Sequence, residues 1–324
     1  MKDIPDLSHC LLCPRRCGAD RAAGGRAYCG ETAELRIASA SIHRGEEPVL
    51  TGAGGSGTVF VTGCNLGCVF CQNYQISRRG MGRAVQTAEF AAITLRLQEL
   101  GAATINIVTG SHAVPAIAAG IDAARGEGGE KLRLPVLWNS SAYESLESLE
   151  ILKDRVDVYL PDLKTLDPAV SARFFKTPVY GETASAAILR MMEYRPLRYK
   201  PGGEALESGV IVRHLALPGY LESTRGVLRW FAENCRGGAL LSLMTQYSPV
   251  RPAGEEPGTG MPEGFLNRAE YGTIIRWLEE FGIDDGFCQE LVRGDEWLPD
   301  FSRGNPFSSD LSLPVWHWRF GFIN

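Results

Sequence analysis

From about residue 58 to 280, short apolar runs of strand character alternate with segments whose apolar residues recur every three or four positions. The runs are TVFVTG, TINIVTG, LPVLWNS, VDVYLPD, GVIVRHLAL and ALLSLM. Between them the spacing predicts helices over about 87–100, 113–125, 143–153, 182–194 and 221–233, with a last helix starting at Asn267. In the first of these, Phe90, Ile93, Leu97 and Leu100 share one face, with Thr87 as N-cap and Gly101 as stop. Asn267 with Glu270 has the form of a capping box, and Leu266 with Tyr271 that of a hydrophobic staple. Strands apolar on both faces and joined by helices imply an α/β fold with a parallel sheet, open or closed. Such folds gather ligands at the C-terminal ends of their strands, so polar residues there are the first candidates for a site.

The first run leads directly into GCNLGCVFCQNY, where Cys64, Cys68 and Cys71 have the spacing C-x3-C-x2-C. A structural zinc site takes four protein ligands, and no fourth Cys or His is close in sequence. Three thiolates suit an iron–sulfur cluster with one iron left open to a substrate or cosubstrate. A second group, Cys10, Cys13, Cys17 and Cys29, reads C-x2-C-x3-C-x11-C and contains the tight-turn sequence LCPRRCG. Its four thiolates can close a zinc site, hold one rubredoxin-like iron or bind an auxiliary cluster. Cys235 and Cys288 are isolated and read as small buried hydrophobes.

With Phe70 just before its last cysteine, the triad resembles the signature of the radical S-adenosylmethionine (SAM) superfamily. The segments GSGTVFVTGCNLGCVFCQNYQIS, INIVTGSHAVP, VYLPDLK and IVRHLALPG resemble, in order, the group related to the pyruvate formate-lyase activating enzyme, over about residues 50–250. The resemblance implies a partial (β/α)6 TIM-like barrel over 51–298. A small Cys-rich metal-binding extension (1–50) precedes it, and an aromatic-rich tail (299–324) packs on it. It also implies a [4Fe–4S] cluster on Cys64, Cys68 and Cys71 whose open iron chelates SAM. Reductive cleavage then yields methionine and a 5′-deoxyadenosyl radical that abstracts a hydrogen atom. The implied electron donor is a reduced flavodoxin or ferredoxin.

Strand ends supply further candidates. Asp162 and Lys164 lie two apart, hence on one face, and by resemblance position SAM. Arg213 and His214 point to opposite faces. The resemblance makes Arg213 the inward clamp on the SAM carboxylate and leaves His214 under the helices. After the second strand, Thr109 and Ser111 stand where the family contacts the SAM amino group, often with GGE; this chain has no such carboxylate. His112 is either a pocket donor or a packing residue. Asn139 and Ser141 offer short polar groups for a ribose, although Ser141 also suits a helix N-cap. Phe70 is placed near the adenine or in the core, and Gln246 and Tyr247 lie where a substrate would enter.

Other features set bounds. A net charge of −5 argues against a nucleic-acid partner. No apolar run reaches membrane-span length and the N-terminus lacks a signal-peptide core, so a cytoplasmic protein without membrane partners is expected. Grouped cysteines point to metal binding in a reducing compartment. GAGGSG, with Gly52, Gly54 and Gly57, matches a dinucleotide fingerprint but precedes a strand instead of following one, and so reads as a turn. The Pro- and Gly-rich stretch 247–265 is a candidate loop over the site, and Trp316 and Trp318 are candidates for core or lid. The function expected is radical SAM oxidoreductase chemistry. It would act either as a glycyl-radical activase on a partner enzyme or on another protein or small molecule. A non-catalytic iron–sulfur electron carrier and a zinc-stabilised binding module are the readings from other classes.

Overall fold

The computed structural model describes residues 5–127, 131–203, 205–250, 261–295 and 297–323. The first 31 of these, 5–35, form turns without helix or strand. β1 (Arg36–His43) then leads through α1 (Pro48–Thr51) into β2 (Ser56–Val61). α2 (Tyr74–Ser77), β3 (Arg83–Ala84) and α3 (Thr87–Glu99) precede β4 (Thr104–Val108), α4 (Val114–Arg125) and β5 (Val136–Ser140). α5 (Leu146–Leu152), β6 (Val158–Pro161), α6 (Pro168–Phe175), α7 (Tyr180–Tyr194) and β7 (Arg198–Tyr199) follow. The chain continues with β8 (Leu206–Leu215), α8 (Leu221–Asn234), β9 (Leu240–Met244), α9 (Arg268–Glu280) and β10 (Gly286–Cys288). It ends in β11 (Ser312–His317) and β12 (Gly321–Phe322).

The six expected strands, β2, β4, β5, β6, β8 and β9, lie side by side in parallel. β10 adds a short seventh parallel strand beside β9. At the other edge β1 runs antiparallel to β2, β11 to β1 and β12 to β11. β10 and β12 end the strand order and do not pair with each other, so the sheet is a mixed, open one and the fold an α/β partial barrel. The tail does not simply pack over the barrel as expected. Residues 312–322 extend the sheet and cover the otherwise open edge of β1. Trp316 is core: it is fully buried and its indole N–H donates to Glu89 (3.1 Å).

Alternation along the strands separates two cores. Outward residues such as Ile105, Ile107, Trp138, Val210 and Val212 pack with Phe90, Ile93 and Leu97 of α3 and Ile117 of α4. Inward residues Leu137, Val158, Leu160, Ile211 and Leu240 meet Leu50 of α1. Because β1 is antiparallel to β2, with His43 opposite Ser56, α1 and the preceding Glu46 and Glu47 lie at the N-terminal end of the parallel strands. Burying each such aliphatic side chain contributes roughly 1.5–3 kcal/mol, and Leu50 plugs this end. Further along the strands the inner face turns polar with Asn106, Asn139, Arg213 and Ser242.

Helix ends differ in detail. α3 starts one residue after its cap, Gln86, and Leu100 falls past the helix end and is exposed. α5 begins at Leu146, capped by Ser145, whose hydroxyl accepts from Ser148 N (3.2 Å). Ser141 is therefore not the cap. α6 was not anticipated; it is short, and Asp167 caps it with Pro168 at its first position. The capping box of Asn267 and Glu270 is present. Gly52 and Gly54 lie in the turn between α1 and β2 as expected, whereas Gly57 is already the second residue of β2. The expected loop 247–265 is described only in part, because 251–260 lie outside the described residues. Among the described residues no helix is long and apolar enough to cross a membrane.

Candidate active site

The cysteine loop is held by side chains and carbonyls, since it has little regular structure of its own. Gly63 turns the chain out of β2 with φ +89°, and a Cβ there would lie 2.4 Å from Glu31 Cγ, so only glycine fits. Arg15, from the N-terminal segment, donates to the carbonyls of Asn65 (2.9 Å), Leu66 (2.9 Å), Phe175 (2.6 Å) and Lys176 (3.1 Å). Its guanidinium stacks 3.9 Å over the Tyr28 ring. Arg78 donates to Gly67 O (3.0 Å) and to Cys68 O. Asn65 Nδ2 reaches Tyr143 O (2.7 Å), and Val69 N reaches Phe174 O (3.1 Å). Charged donors on carbonyls are worth more than neutral ones, so the loop is fixed before anything binds.

The loop opens on a cavity of about 250 Å³. Cys64, Cys68, Cys71, Phe70, Thr109, Asn139, Ser141, Asp162, Lys164 and Arg213 all line it. Ser111 is the exception: it is buried, and its hydroxyl donates to Glu144 Oε1 (2.6 Å), which also accepts from Trp138 Nε1 (3.0 Å). The buried carboxyl of Glu144 is pushed up by desolvation. Thr109 adopts φ +64°, a conformation that costs energy in any residue but glycine, and its N–H donates to Asn139 O (2.9 Å). Gly110 follows because a Cβ there would lie 2.5 Å from Trp138. His112 turns out to be a packing residue. Its Nε2 bonds Thr62 O (2.8 Å), and burial holds it down to about 4.

The charges are strongly paired. Lys164 Nζ lies 2.7 Å from Asp162 Oδ2. Arg213 lies beside Glu47 (Nε to Oε1, 3.2 Å) and Glu46 (Nη1 to Oε2, 3.5 Å). Arg213 thus faces inward as expected, but two glutamates already engage it. Burial pushes Glu46 up to about 7, with Arg213 pulling the other way. His214 lies on the opposite face, bonded to Leu163 O (2.8 Å) and Thr224 Oγ1 (3.0 Å). Phe70 meets Phe174 edge-on at 5.4 Å and Tyr247 at 6.0 Å. Gln246 lines the cavity, whereas Tyr247 is buried and donates to Pro262 O (2.9 Å).

The three thiols fit an iron–sulfur cluster by their donor set and their shared outlook onto one cavity. Burial raises Cys64 and Cys68, while Lys164 partly counters this at both. Loading a metal must therefore displace protons. Among the described residues no three Cys, His, Asp or Glu groups are placed to hold a single metal ion. A cubane takes one thiolate per iron and needs no such convergence. In the N-terminal group Cys10, Cys13 and Cys29 are buried and Cys17 is exposed. Burial pushes both Cys13 and Cys29 up to about 11. At Cys17 burial acts upward too, but N–H groups of the backbone near Ala19 and Tyr28 bring the thiol below its ordinary value.

Sequence reasoning missed His43, Glu46, Trp297, Pro299 and Phe307, all of which line the cavity. The last three belong to the segment joining β10 to β11, strands near opposite ends of the sheet order, so it crosses the gap of the open barrel. Only the adjacent acids in RGEEP, next to a strand end, hinted at any of them.

Residues 58–196 match the radical SAM superfamily. An uncharacterized protein of Methanocaldococcus jannaschii is 28% identical over 285 residues, covering 86% of this chain and 76% of that protein. Streptococcus suis SuiB bound to S-adenosylmethionine aligns over 70% of this chain and 48% of its own, with 15% identity and a TM-score of 0.49. The chain thus spans about half the length of SuiB. A domain of pyruvate-formate lyase-activating enzyme from Bacteroides vulgatus aligns over 48% of this chain and 82% of its own, with 13% identity and a TM-score of 0.35.

Proposed function

We propose that this chain, whose residues 58–196 form a radical SAM domain, is an enzyme that uses SAM to abstract a hydrogen atom from a small substrate. One observation carries the reading: the three thiols of one loop open onto the same cavity as Asn139, Ser141, Asp162 and Lys164. Cys64, Cys68 and Cys71 would hold a [4Fe–4S] cluster, which supplies the electron that cleaves the sulfonium of SAM. Asp162 and Lys164 offer a carboxylate and an ammonium to the zwitterionic methionine end. Asn139 and Ser141 offer hydrogen bonds to the ribose, and Phe70 an edge to the adenine. Trp297, Pro299 and Phe307 stand across the lateral gap, where they would limit access to the reacting atoms. That cover favours a compact substrate over an inserted polypeptide, and so direct modification over a glycyl-radical activase role. A reduced flavodoxin or ferredoxin in the cytoplasm is the proposed electron donor, and the N-terminal cysteines are proposed to hold zinc or a further iron–sulfur group.

The test is electron paramagnetic resonance of the reconstituted, dithionite-reduced protein with and without SAM. A cluster signal altered by SAM is the expected result. A full cluster whose signal ignores SAM at saturating concentration would refute the reading.

A further inference from the structure

At the N-terminal end of the cavity stands a buried carboxylate whose hydrogen-bonding capacity is only partly met. Glu46 lines the cavity with its side chain only 9% exposed. Its Oε1 accepts from Asn106 Nδ2 (3.0 Å), while Oε2 makes no hydrogen bond and has only the ion pair with Arg213 Nη1 at 3.5 Å. Behind it Glu47 Oε2 and Asn106 Oδ1, of residues that do not line the cavity, are likewise buried without hydrogen bonds, as is the donor Arg213 Nε. Glu46 Oε2 is therefore the acceptor a ligand in the cavity would meet. When Glu46 is ionised, Glu46, Glu47 and Asp162 set three carboxylates against the two cations Arg213 and Lys164, one negative charge in excess. His43 does not correct the balance, because burial and then Arg213 hold it down to about 4. Buried acceptors without donors are costly, and a ligand carrying N–H groups and a positive charge answers both deficits.

The walls agree. His43 meets Phe307 at 4.9 Å and Phe60 meets Phe307 at 5.4 Å, and with Trp297 they make this end aromatic. Aromatic faces beside a carboxylate favour organic cations. An anionic group would need Arg213, whose guanidinium is already engaged by Glu46 and Glu47. We propose that this end of the cavity binds a positively charged amine of the substrate, with Glu46 as its counter-ion. This rests on the proposed function for the identity of the ligand as substrate.

The test is a calorimetric titration of the cluster-reconstituted, SAM-loaded protein with n-butylammonium, n-butanol and butyrate at equal ionic strength, with potassium chloride as control. n-Butylammonium should bind roughly tenfold or more tightly than butanol, and butyrate should not bind, as expected for one desolvated charge pair. Glu46→Gln should remove most of that preference and Trp297→Leu part of it. Equal or tighter binding of butyrate, competition by potassium at the same concentration, or an unchanged preference in a folded Glu46→Gln protein would each overturn the proposal. If Glu46→Gln does not fold, the ligand series on the wild type decides alone. SAM turnover by wild type without any ammonium preference removes this inference and leaves the proposed function. Ammonium preference without SAM turnover supports the cation site and counts against the radical chemistry.

Discussion

The two cysteine groups share a donor type and differ in what surrounds it. Cys64, Cys68 and Cys71 face a cavity with Asp162 and Lys164. Cys10, Cys13 and Cys29 are buried, and Arg21 donates to Cys10 Sγ (3.6 Å). The carbonyls around the second group brace other segments. Cys29 O accepts from Cys64 N (3.2 Å), and Leu12 O from the hydroxyls of Ser145 (2.7 Å) and Ser148 (2.6 Å). Arg15, between Cys13 and Cys17, reaches across to the first loop. One group therefore faces the cavity, and the other sits among the contacts that hold the cavity-facing loop in place.

Replacing cysteines should separate these roles most sharply. Cys64→Ala, Cys68→Ala and Cys71→Ala together should abolish the SAM-responsive cluster, measured as iron content and electron paramagnetic resonance, while the fold survives. Cys10→Ala with Cys13→Ala should instead lower the unfolding midpoint in urea and keep the SAM response. The reverse pattern would break the comparison. Arg15→Ala should cost about 3 kcal/mol in the same urea unfolding, because up to four carbonyls lose a charged donor. Arg15→Lys should recover little of it, since one ammonium cannot reproduce the planar fork. A loss under about 0.5 kcal/mol would show that the brace is idle, the level of an ordinary surface change.

Smaller effects probe the cavity and its rear face. Lys164→Met leaves Asp162 without its partner at 2.7 Å and should weaken SAM binding by roughly thirtyfold, about 2 kcal/mol, by calorimetry. Unchanged affinity would remove the pair from the SAM site. His214 is held down to about 4, mainly by burial, against an ordinary 6.5. The neutral folded form therefore keeps its full stability above 6.5. As pH falls from 6.5 to 4 the unfolded chain takes up a proton that the folded chain refuses, and stability is lost. Glu46, raised to about 7, acts in the opposite sense between 7 and 4.5. The difference between wild type and His214→Asn isolates the histidine. Urea unfolding should show the wild type losing on the order of 1–3 kcal/mol more than the variant across that window. Parallel pH profiles would contradict the burial argument.

Much of this was legible in the residues, and the limits have physical causes. The six parallel strands follow from apolar runs without a polar face, and the cysteine loop from its position after the first of them. Alternation put Asp162 and Lys164 on one face and Arg213 and His214 on opposite faces, and the family resemblance, not the alternation, chose Arg213 as the inward one. Ser111 was misjudged because the turn at Thr109 and Gly110 aims its hydroxyl at Glu144, a partner 33 residues away in sequence. The tail carries no helical or clean strand period, since β11 depends on β1 for pairing and β12 on β11. Glu46, Trp297 and Phe307 meet only through the path of the chain across the barrel gap, which no local pattern encodes.

The most direct test is formation of 5′-deoxyadenosine by anaerobically reconstituted protein with dithionite and SAM, beside the Cys64→Ala, Cys68→Ala, Cys71→Ala variant. Product from the wild type alone is the predicted result. Equal product from both proteins, or none from a wild type that carries a full cluster, binds SAM and is supplied with a reduced flavodoxin, would contradict the assignment of radical chemistry to this loop.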